Sequence, residues 1–282
     1  MNKLVTKINN LEIEHLWMRI NIAAVLLVLT VAIYAANINQ PLFLWLQDWG
    51  RHVPAAIWAS LTSVGDALTA SVLLLLFVRK YPRIVWSAVL AGVFATLAVH
   101  GLKHSLVLPR PPAVIPPDVL MLIGPEYRLD SYPSGHSSVI WVFIGVWLMN
   151  NYSRSKLIML LILATLVSLS RVMVGAHWPI DITTGALIGW LGAWIGVVLA
   201  KRWHCGMTLT GQRIIVAILL IAASLLVGYD AGYTQAKYVV NLIAFSCLLV
   251  GGYQMVLLIR HPERALQYST RVDEANKKKL PD

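Results

Sequence analysis

Eight long apolar runs divide the chain, and they restrict its fold more than any other feature. A helix needs about 20 apolar residues to cross the hydrocarbon core of a bilayer. The runs cover roughly 20–36, 53–78, 84–103, 134–149, 157–174, 179–200, 214–228 and 238–259. Because 58% of the residues are hydrophobic and only 13% are charged, an ordinary water-soluble domain is excluded.

The runs are typical of membrane helices and not of barrel strands. Only helices and closed barrels satisfy the backbone polar groups inside a membrane, and barrel strands are short segments of alternating polarity. We therefore expect an all-α, polytopic transmembrane helix bundle of about eight helices. The first run also has the length of a signal-peptide core, but no convincing small-residue cleavage pattern follows Ala36.

Basic residues predict how the bundle is oriented. If the N-terminus is cytoplasmic, the inner segments contain 17 of the 23 Lys and Arg residues, which is the bias typical of cytoplasmic loops. The outer segments and outer helix ends contain the others, namely Arg51, Lys103, Arg110, Arg128, Arg171 and Lys237. We therefore expect a multi-pass cell (inner) membrane protein with both termini cytoplasmic.

The net charge of +10 follows mostly from this topology. Its cations are scattered over short loops and form no single basic patch, so we expect no nucleic-acid partner. The lipid bilayer is the expected environment, and nothing in the sequence specifies an oligomeric state.

Three segments at the outer ends of the runs carry patterned polar residues. The first extends from Lys103 to Arg110; a lysine at the membrane boundary must extend to the interface or bind an anion. The second, Pro133-Ser134-Gly135-His136, precedes the fourth run. Serine is a favoured N-cap, and the free N–H groups at a helix start bind phosphate. Alone, this tetrapeptide would be an ordinary capped helix start.

The third segment joins Ser170 and Arg171 to His177 and Asp181. In a helical turn, the spacing of four allows Asp181 to accept a hydrogen bond from one imidazole nitrogen, which leaves the other nitrogen nucleophilic. Alone, such a pair is more often a cap or a surface pair. Together, the segments put three cations, a helix start and two histidines on one membrane face, as phosphoryl transfer requires.

These segments resemble the type 2 phosphatidic acid phosphatase superfamily in residue identity, order and spacing. The family pattern is K-x6-R-P, then P-S-G-H, then S-R-x5-H-x3-D, and all 11 specified positions match. The resemblance covers roughly 53–200. It implies a membrane phosphatase core in 20–200, between a cytoplasmic segment 1–19 and two additional transmembrane helices in 201–260. A cytoplasmic polar tail, 261–282, ends the chain.

The resemblance also implies a role for each motif residue. His177 is the implied nucleophile, which forms a phosphohistidine, and Asp181 orients it. His136 is implied to protonate the leaving oxygen and then to activate water. The implied ligands of the phosphate oxygens are Lys103, Arg110, Ser134, Gly135 and Arg171. Because no metal-ligand pattern accompanies these residues, we expect no metal and no cofactor.

A site at the membrane boundary suits a phosphate head group whose hydrocarbon chain stays in lipid. We therefore expect a lipid phosphatase with its active site on the periplasmic or extracytoplasmic face. Undecaprenyl diphosphate is the first substrate suggested by the habit of the family. Phosphatidate, phosphatidylglycerol phosphate and lipid A phosphates remain open, and so does transfer of the phosphate to a lipid acceptor instead of water.

Two other classes of protein compete with this interpretation. A transporter would use intramembrane polar residues such as Asp66 and His100, but it would be expected to have two similar halves, which the sequence lacks. A capped helix break after Gly65 explains Asp66 equally well. Vanadium haloperoxidases share the phosphate pocket with the family, but they are soluble.

The charge distribution leads to a direct test of topology. A reporter fused to the C-terminus should be cytoplasmic, and an epitope tag inserted after Ala113 should be accessible from outside in intact spheroplasts. A protected tag at Ala113, combined with an exposed C-terminus, would reverse the predicted orientation.

Overall fold

The computed structural model describes the backbone of residues 2–150 and 154–262, and the side chains of 16–150 and 155–262. All regular structure in this part of the chain is helical. The helices are α1 (Asn2–Ala35), α2 (Asn39–Gly50), α3 (Ala55–Val64), α4 (Ala67–Leu73), α5 (Pro82–Leu106), α6 (Pro111–Val114), α7 (Gly135–Asn150), α8 (Arg154–Met173), α9 (Pro179–Ala200), α10 (Leu209–Leu226) and α11 (Lys237–Arg260). Single 3₁₀ turns occupy Leu74–Leu76, Cys205–Met207 and Thr234–Ala236.

The membrane-spanning units correspond in order to the eight apolar runs. Six helical segments of the described chain are long and apolar enough to span a membrane: Leu16–Ala35, Pro82–Val114, Ser155–Met173, Pro179–Ala200, Leu209–Leu226 and Thr234–Arg260. The bent pair α3 and α4 is long and apolar enough only when its two halves are taken together, as a broken span or a re-entrant loop, and α7 is a shorter apolar helix of 16 residues. The predicted polytopic helical fold is confirmed.

The second run is broken in the middle. The two halves of this span meet at an angle of 65° between Val64 and Ala67. Asp66 caps α4, because its Oδ1 accepts hydrogen bonds from the backbone N–H groups of Leu68 (2.9 Å) and Thr69 (3.2 Å). Of the two explanations that the sequence left open for Asp66, the structure therefore supports the capped helix break.

Glycines bring α7 and α9 into close contact. A Cβ atom at Gly185 would lie 2.3 Å from the carbonyl oxygen of Ser134, and one at Gly189 would lie 2.2 Å from that of Ser138. Small residues allow membrane helices to approach closely in this way. As a result, the N-terminal end of α9 is held directly against the N-terminal end of α7.

Helix α2 was not predicted, yet it holds the loops beside the motif segments. Its Gln47 is buried, with 2% of its surface exposed. The amide nitrogen of Gln47 donates to the carbonyls of Val172 (2.7 Å) and Met173 (3.1 Å), and its amide oxygen accepts from the N–H of Met121 (2.8 Å). This one side chain therefore ties the C-terminal end of α8 to the loop 115–134.

The last two helices pack against each other and against α4. On one side of the bundle, Arg213 of α10 donates to the carbonyl of Leu258 at 2.8 Å, and Gln254 of α11 accepts from the N–H of Arg79 at 3.2 Å. At the opposite ends of α10 and α11, the connection 227–236 approaches the loop 115–134, which we call the outer loop. The Cδ atom of Pro125 would lie 2.6 Å from a Cβ at Gly232.

Candidate active site

The N-terminal ends of α7 and α9 bring two of the three motif segments together. The N–H of Ser134 donates to the carbonyl of Asp181 at 3.0 Å. The side chain of Ser137 donates to the carbonyl of Ile182 at 2.7 Å. Within the start of α7 itself, the Ser134 hydroxyl accepts a hydrogen bond from the N–H of Ser137 at 3.4 Å, as expected of an N-cap.

Open space lies over the first residue of α7. Apart from its chain neighbours and the backbone of its own helix, a Cβ at Gly135 would meet one atom of the described residues within 4 Å, the Cγ1 of Val99 at 3.9 Å. Because the first N–H groups of a helix have no partner within the helix, this unfilled space is suited to an anion.

His177 and Asp181 form a buried pair. Only 2% and 1% of their surfaces are exposed, and the Nδ1 of His177 lies 3.2 Å from the Oδ2 of Asp181. The same oxygen accepts from the N–H of Trp178 at 2.9 Å and from the hydroxyl of Ser131 at 2.5 Å. A carboxylate only accepts, so the imidazole proton belongs on Nδ1 and Nε2 keeps its lone pair.

Arg110 lies beside that free nitrogen. Its Nη1 is 3.4 Å from the Nε2 of His177 and 3.2 Å from the carbonyl oxygen of Ala176, to which it donates. Its Nε donates to the carbonyl of Leu129 at 2.8 Å, and its Nη2 donates to that of Asp130 at 3.2 Å. Arg110 is thus held by backbone carbonyls, with its guanidinium against the nitrogen that would attack a substrate.

Lys103 is held in the same way. It lies in the last turn of α5 and is half-buried. Its ammonium group donates to the carbonyl of Asp130, which also accepts from Arg110. The loop 115–134 therefore positions both cations through its backbone.

Arg171 approaches from the other side, at the end of α8, and is 3% exposed. Its Nη1 donates to the Thr62 hydroxyl at 2.7 Å and to the Tyr233 hydroxyl at 2.8 Å. Its Nε is buried without a hydrogen-bond partner in the described chain. Sequence reasoning found neither Thr62 nor Tyr233, because a hydroxyl in an apolar run and a tyrosine in a distant loop form no recognisable spacing.

His136 has a different environment from His177. It lies in the first turn of α7, and its Cβ is 3.4 Å from the position that a Cβ added to Gly65 would take. Its imidazole forms no hydrogen bond with any residue that the structure describes, whereas His177 is oriented by Asp181. His136 is therefore not fixed in one tautomer by a carboxylate.

The positive charge of the site is not balanced by ion pairs. Within the described chain, the ion pairs are those of Arg128 with Glu126 (2.8 Å) and of His177 with Asp181. Arg128 and Glu126 are exposed, so Arg128 is a solvated loop cation. The cations of the site are instead held by neutral oxygen atoms, which leaves their charge available to an anion.

Ser131 is a further residue that sequence reasoning missed. It is fully buried, and its hydroxyl donates to the carboxylate that orients His177. A lone serine in a loop gives no signal of such a contact. Among the described residues, no group of three or more His, Cys, Asp or Glu side chains is arranged to hold a metal ion.

Burial lowers the pKa of His177 well below its ordinary value of 6.5, and the charges of Arg110, Arg171 and Lys103 lower it further. This histidine lies in the turn between α8 and α9, outside both helices. A lowered pKa means that the imidazole stays neutral, and so nucleophilic, at neutral and mildly acidic pH.

This shift predicts the acid limb of the phosphorylation step that the family resemblance implies for His177. The rate at which an aryl phosphate phosphorylates the protein should change less than about twofold between about pH 7.5 and pH 6, where an ordinary histidine would be mostly protonated. Rapid-quench single-turnover measurements provide the test. If the phosphorylation rate falls on acidification with a midpoint at pH 6.5 or above, in both the unchanged protein and His136→Ala, the lowered pKa of His177 is contradicted.

A large part of this chain is similar to known proteins. Residues 83–205 match the family model described as the PAP2 superfamily. An undecaprenyl-diphosphatase of Sulfolobus acidocaldarius is 32% identical over 154 residues, which are 55% of this chain and 66% of that protein. Phosphatidylglycerophosphatase B of Escherichia coli K12 is 37% identical over 79 residues, 27% of this chain and 31% of that protein.

A third relative and a solved structure extend the comparison. Lipid A 1-phosphatase of Rhizobium etli is 33% identical over 79 residues, and the match spans 28% of this chain and 32% of that protein. The matched segments thus span from about a third to just under two thirds of these relatives. The crystal structure of Aquifex aeolicus LpxE shares the fold, with a TM-score of 0.50 and 24% identity over 57% of this chain and 95% of that one. Residues 83–205 are thus similar to the PAP2 superfamily, the family that the motif segments resemble.

Proposed function

We propose that this membrane protein is a metal-independent lipid phosphatase that acts through a phosphohistidine on His177. One observation carries the proposal: Lys103, Arg110 and Arg171 surround a buried, carboxylate-oriented histidine and none of them has an ion-pair partner in the described chain. Arg171 is buried and the other two cations are partly buried, so an anion would stabilise them, and a phosphate group supplies one. The names of the three relatives, all phosphatases of lipids, support the same class.

In the first step, the Nε2 of His177 attacks phosphorus. The P–N bond forms as the bond from phosphorus to the leaving oxygen breaks, and His136 gives that oxygen a proton. Asp181 accepts from Nδ1–H and stabilises the positive charge that develops on the imidazole. The cations and the N–H groups at the start of α7 stabilise the equatorial oxygens, a role that Mg²⁺ fills in other phosphoryl-transfer enzymes.

In the second step, water replaces the leaving group. His136 is now neutral and removes a proton from the water as the oxygen attacks phosphorus and the P–N bond breaks. Inorganic phosphate and the original form of both histidines result. Because no carboxylate among the described residues binds its imidazole, His136 is suited to this exchange of a proton in both directions.

The substrate that we propose first is undecaprenyl diphosphate, met on the extracytoplasmic face of the cell membrane. One relative is named for that substrate, and the three cations provide charge for a diphosphate. Phosphatidate, phosphatidylglycerol phosphate and lipid A phosphates are the other candidates. We retain the proposed division of the chain into a phosphatase core, 20–200, and two additional helices in 201–260.

The two histidines should fail in different ways when they are replaced. His177→Ala should abolish turnover of lipid and aryl phosphates alike. General acid catalysis contributes about 10²- to 10⁴-fold and matters most for a basic leaving oxygen. His136→Ala should therefore most strongly lose turnover of a lipid phosphate monoester such as phosphatidate, whose leaving oxygen belongs to a lipid alcohol. An aryl phosphate should still form a phosphoenzyme, which accumulates because water activation is impaired.

Phosphate release from purified protein and trapping of labelled phosphoenzyme measure these effects. His100→Ala provides the matched control, because His100 is an exposed histidine of α5 outside the proposed machinery. Equal loss of both substrates in His136→Ala in single-turnover assays, or label on a residue other than His177, would refute the assigned roles. Unchanged phosphate release in His177→Ala would remove the phosphatase proposal altogether.

Metal independence has its own test. Excess chelator should leave activity within about twofold, because cationic side chains supply the charge stabilisation, whereas vanadate should inhibit as a mimic of the trigonal-bipyramidal state. The assay uses purified protein and one lipid at a time, so that free phosphate reports hydrolysis and a phosphorylated lipid acceptor reports transfer. Loss of activity in chelator that magnesium restores would show that a metal is required.

A further inference from the structure

The two helices that follow the family segment reach into the proposed site through one side chain. Tyr233 lies in the connection between α10 and α11, beyond the matched residues 83–205. It is 7% exposed, and its hydroxyl accepts a hydrogen bond from the Nη1 of Arg171 at 2.8 Å. The guanidinium carbon of Arg171 also lies 5.9 Å from the centre of the tyrosine ring.

The partners of Arg171 fix its direction without cancelling its charge. Its Nη1 has two acceptors, the hydroxyls of Thr62 and Tyr233, and both are neutral. A carboxylate in either place would form an ion pair and reduce the attraction for phosphate. Hydroxyl acceptors instead hold the planar guanidinium in one orientation and leave its charge to the ligand.

Tyr233 is itself held in place by the outer loop. A Cβ at Gly124 would lie 2.5 Å from the Cε1 of Tyr233, so only glycine leaves room for the ring there. Gly124 has a φ of +88°, a conformation that other residues rarely adopt. The connection 227–236 therefore contacts Arg171 directly, and it also contacts the loop that holds Lys103 and Arg110 through its carbonyls.

We propose that Tyr233 is a positioning residue for Arg171, so that α10 and α11 complete the phosphate site of this protein. The inference rests on the proposed function only in assuming that Arg171 binds the phosphate group. A fixed guanidinium of Arg171 stabilises the phosphate most strongly in the transition state, when charge spreads over the equatorial oxygens. Loss of its positioning partner therefore lowers kcat more than it raises KM.

Tyr233→Phe is the decisive variant, because it removes the hydroxyl and keeps the ring that packs on Gly124. Tyr229→Phe is the matched control: Tyr229 lies in the same connection and lines the same cavity of about 210 Å³ as Tyr233, but it forms no hydrogen bond with Arg171. We expect Tyr233→Phe to lower kcat about tenfold, as expected for one hydrogen bond to a charged group. KM and the melting temperature should change little, and Tyr229→Phe should stay within about twofold of the unchanged protein.

A double-mutant cycle tests whether Tyr233 acts through Arg171. In an Arg171→Lys background, Tyr233→Phe should cause less than about a twofold further loss, because the guanidinium that it positions is gone. A tenfold loss in that background as well, or equal activity of Tyr233→Phe and the unchanged protein, would overturn the proposal.

Vanadate binding, measured by calorimetry on the full chain, keeps this test separate from the proposed function. Tyr233→Phe should weaken vanadate binding about tenfold, and Tyr229→Phe should not. If His177→Ala does not reduce phosphate release, the proposed function fails. As long as the unchanged protein binds vanadate, the vanadate affinity of Tyr233→Phe still measures the positioning role. Equal vanadate affinity in Tyr233→Phe and the unchanged protein would refute the positioning role, whatever the activity.

Discussion

An excess of positive charge, held without ion pairs to the three cations in the described chain, is the constraint on which the rest of the site depends. Three cations near one histidine repel each other, and carboxylates paired with them would cancel the charge that the proposed phosphate group would bind. The protein holds them with neutral acceptors instead: the carbonyls of Leu129 and Asp130 for Arg110, and the hydroxyls of Thr62 and Tyr233 for Arg171. A hydrogen bond to a charged group contributes about 1.5–3 kcal/mol, enough to fix each side chain against this repulsion.

The fold meets this requirement by bringing helix ends together. Gly185 and Gly189 let α9 approach α7 so closely that the two helix starts share hydrogen bonds. The positive ends of both helices therefore face the same space as the cations, which adds to its positive potential. The break after Gly65 brings the chain against the first turn of α7, beside His136. Helix packing and electrostatics thus act on the same few residues.

Local sequence features predicted the parts of the molecule that depend on local physics. The eight apolar runs predicted the spans, because length and polarity decide whether a helix enters a membrane. The spacing of His177 and Asp181 predicted a pair that the structure places at hydrogen-bond distance. Helix α2 escaped notice, because its 12 residues are too few for a span. Ser131 and Tyr233 were missed since their contacts join segments 50 and 62 residues apart.

Because backbone carbonyls hold Lys103 and Arg110, the path of the outer loop matters to these cations more than its side chains do. Every residue has a carbonyl, so these contacts depend on the path of the loop and not on which side chains it carries. The side chain of Leu129 is exposed and can vary while its carbonyl keeps its place, whereas the ring of Tyr127 lies against Arg110, 5.3 Å from the guanidinium carbon. The loop can therefore exchange exposed side chains while the positions of Lys103 and Arg110 stay the same.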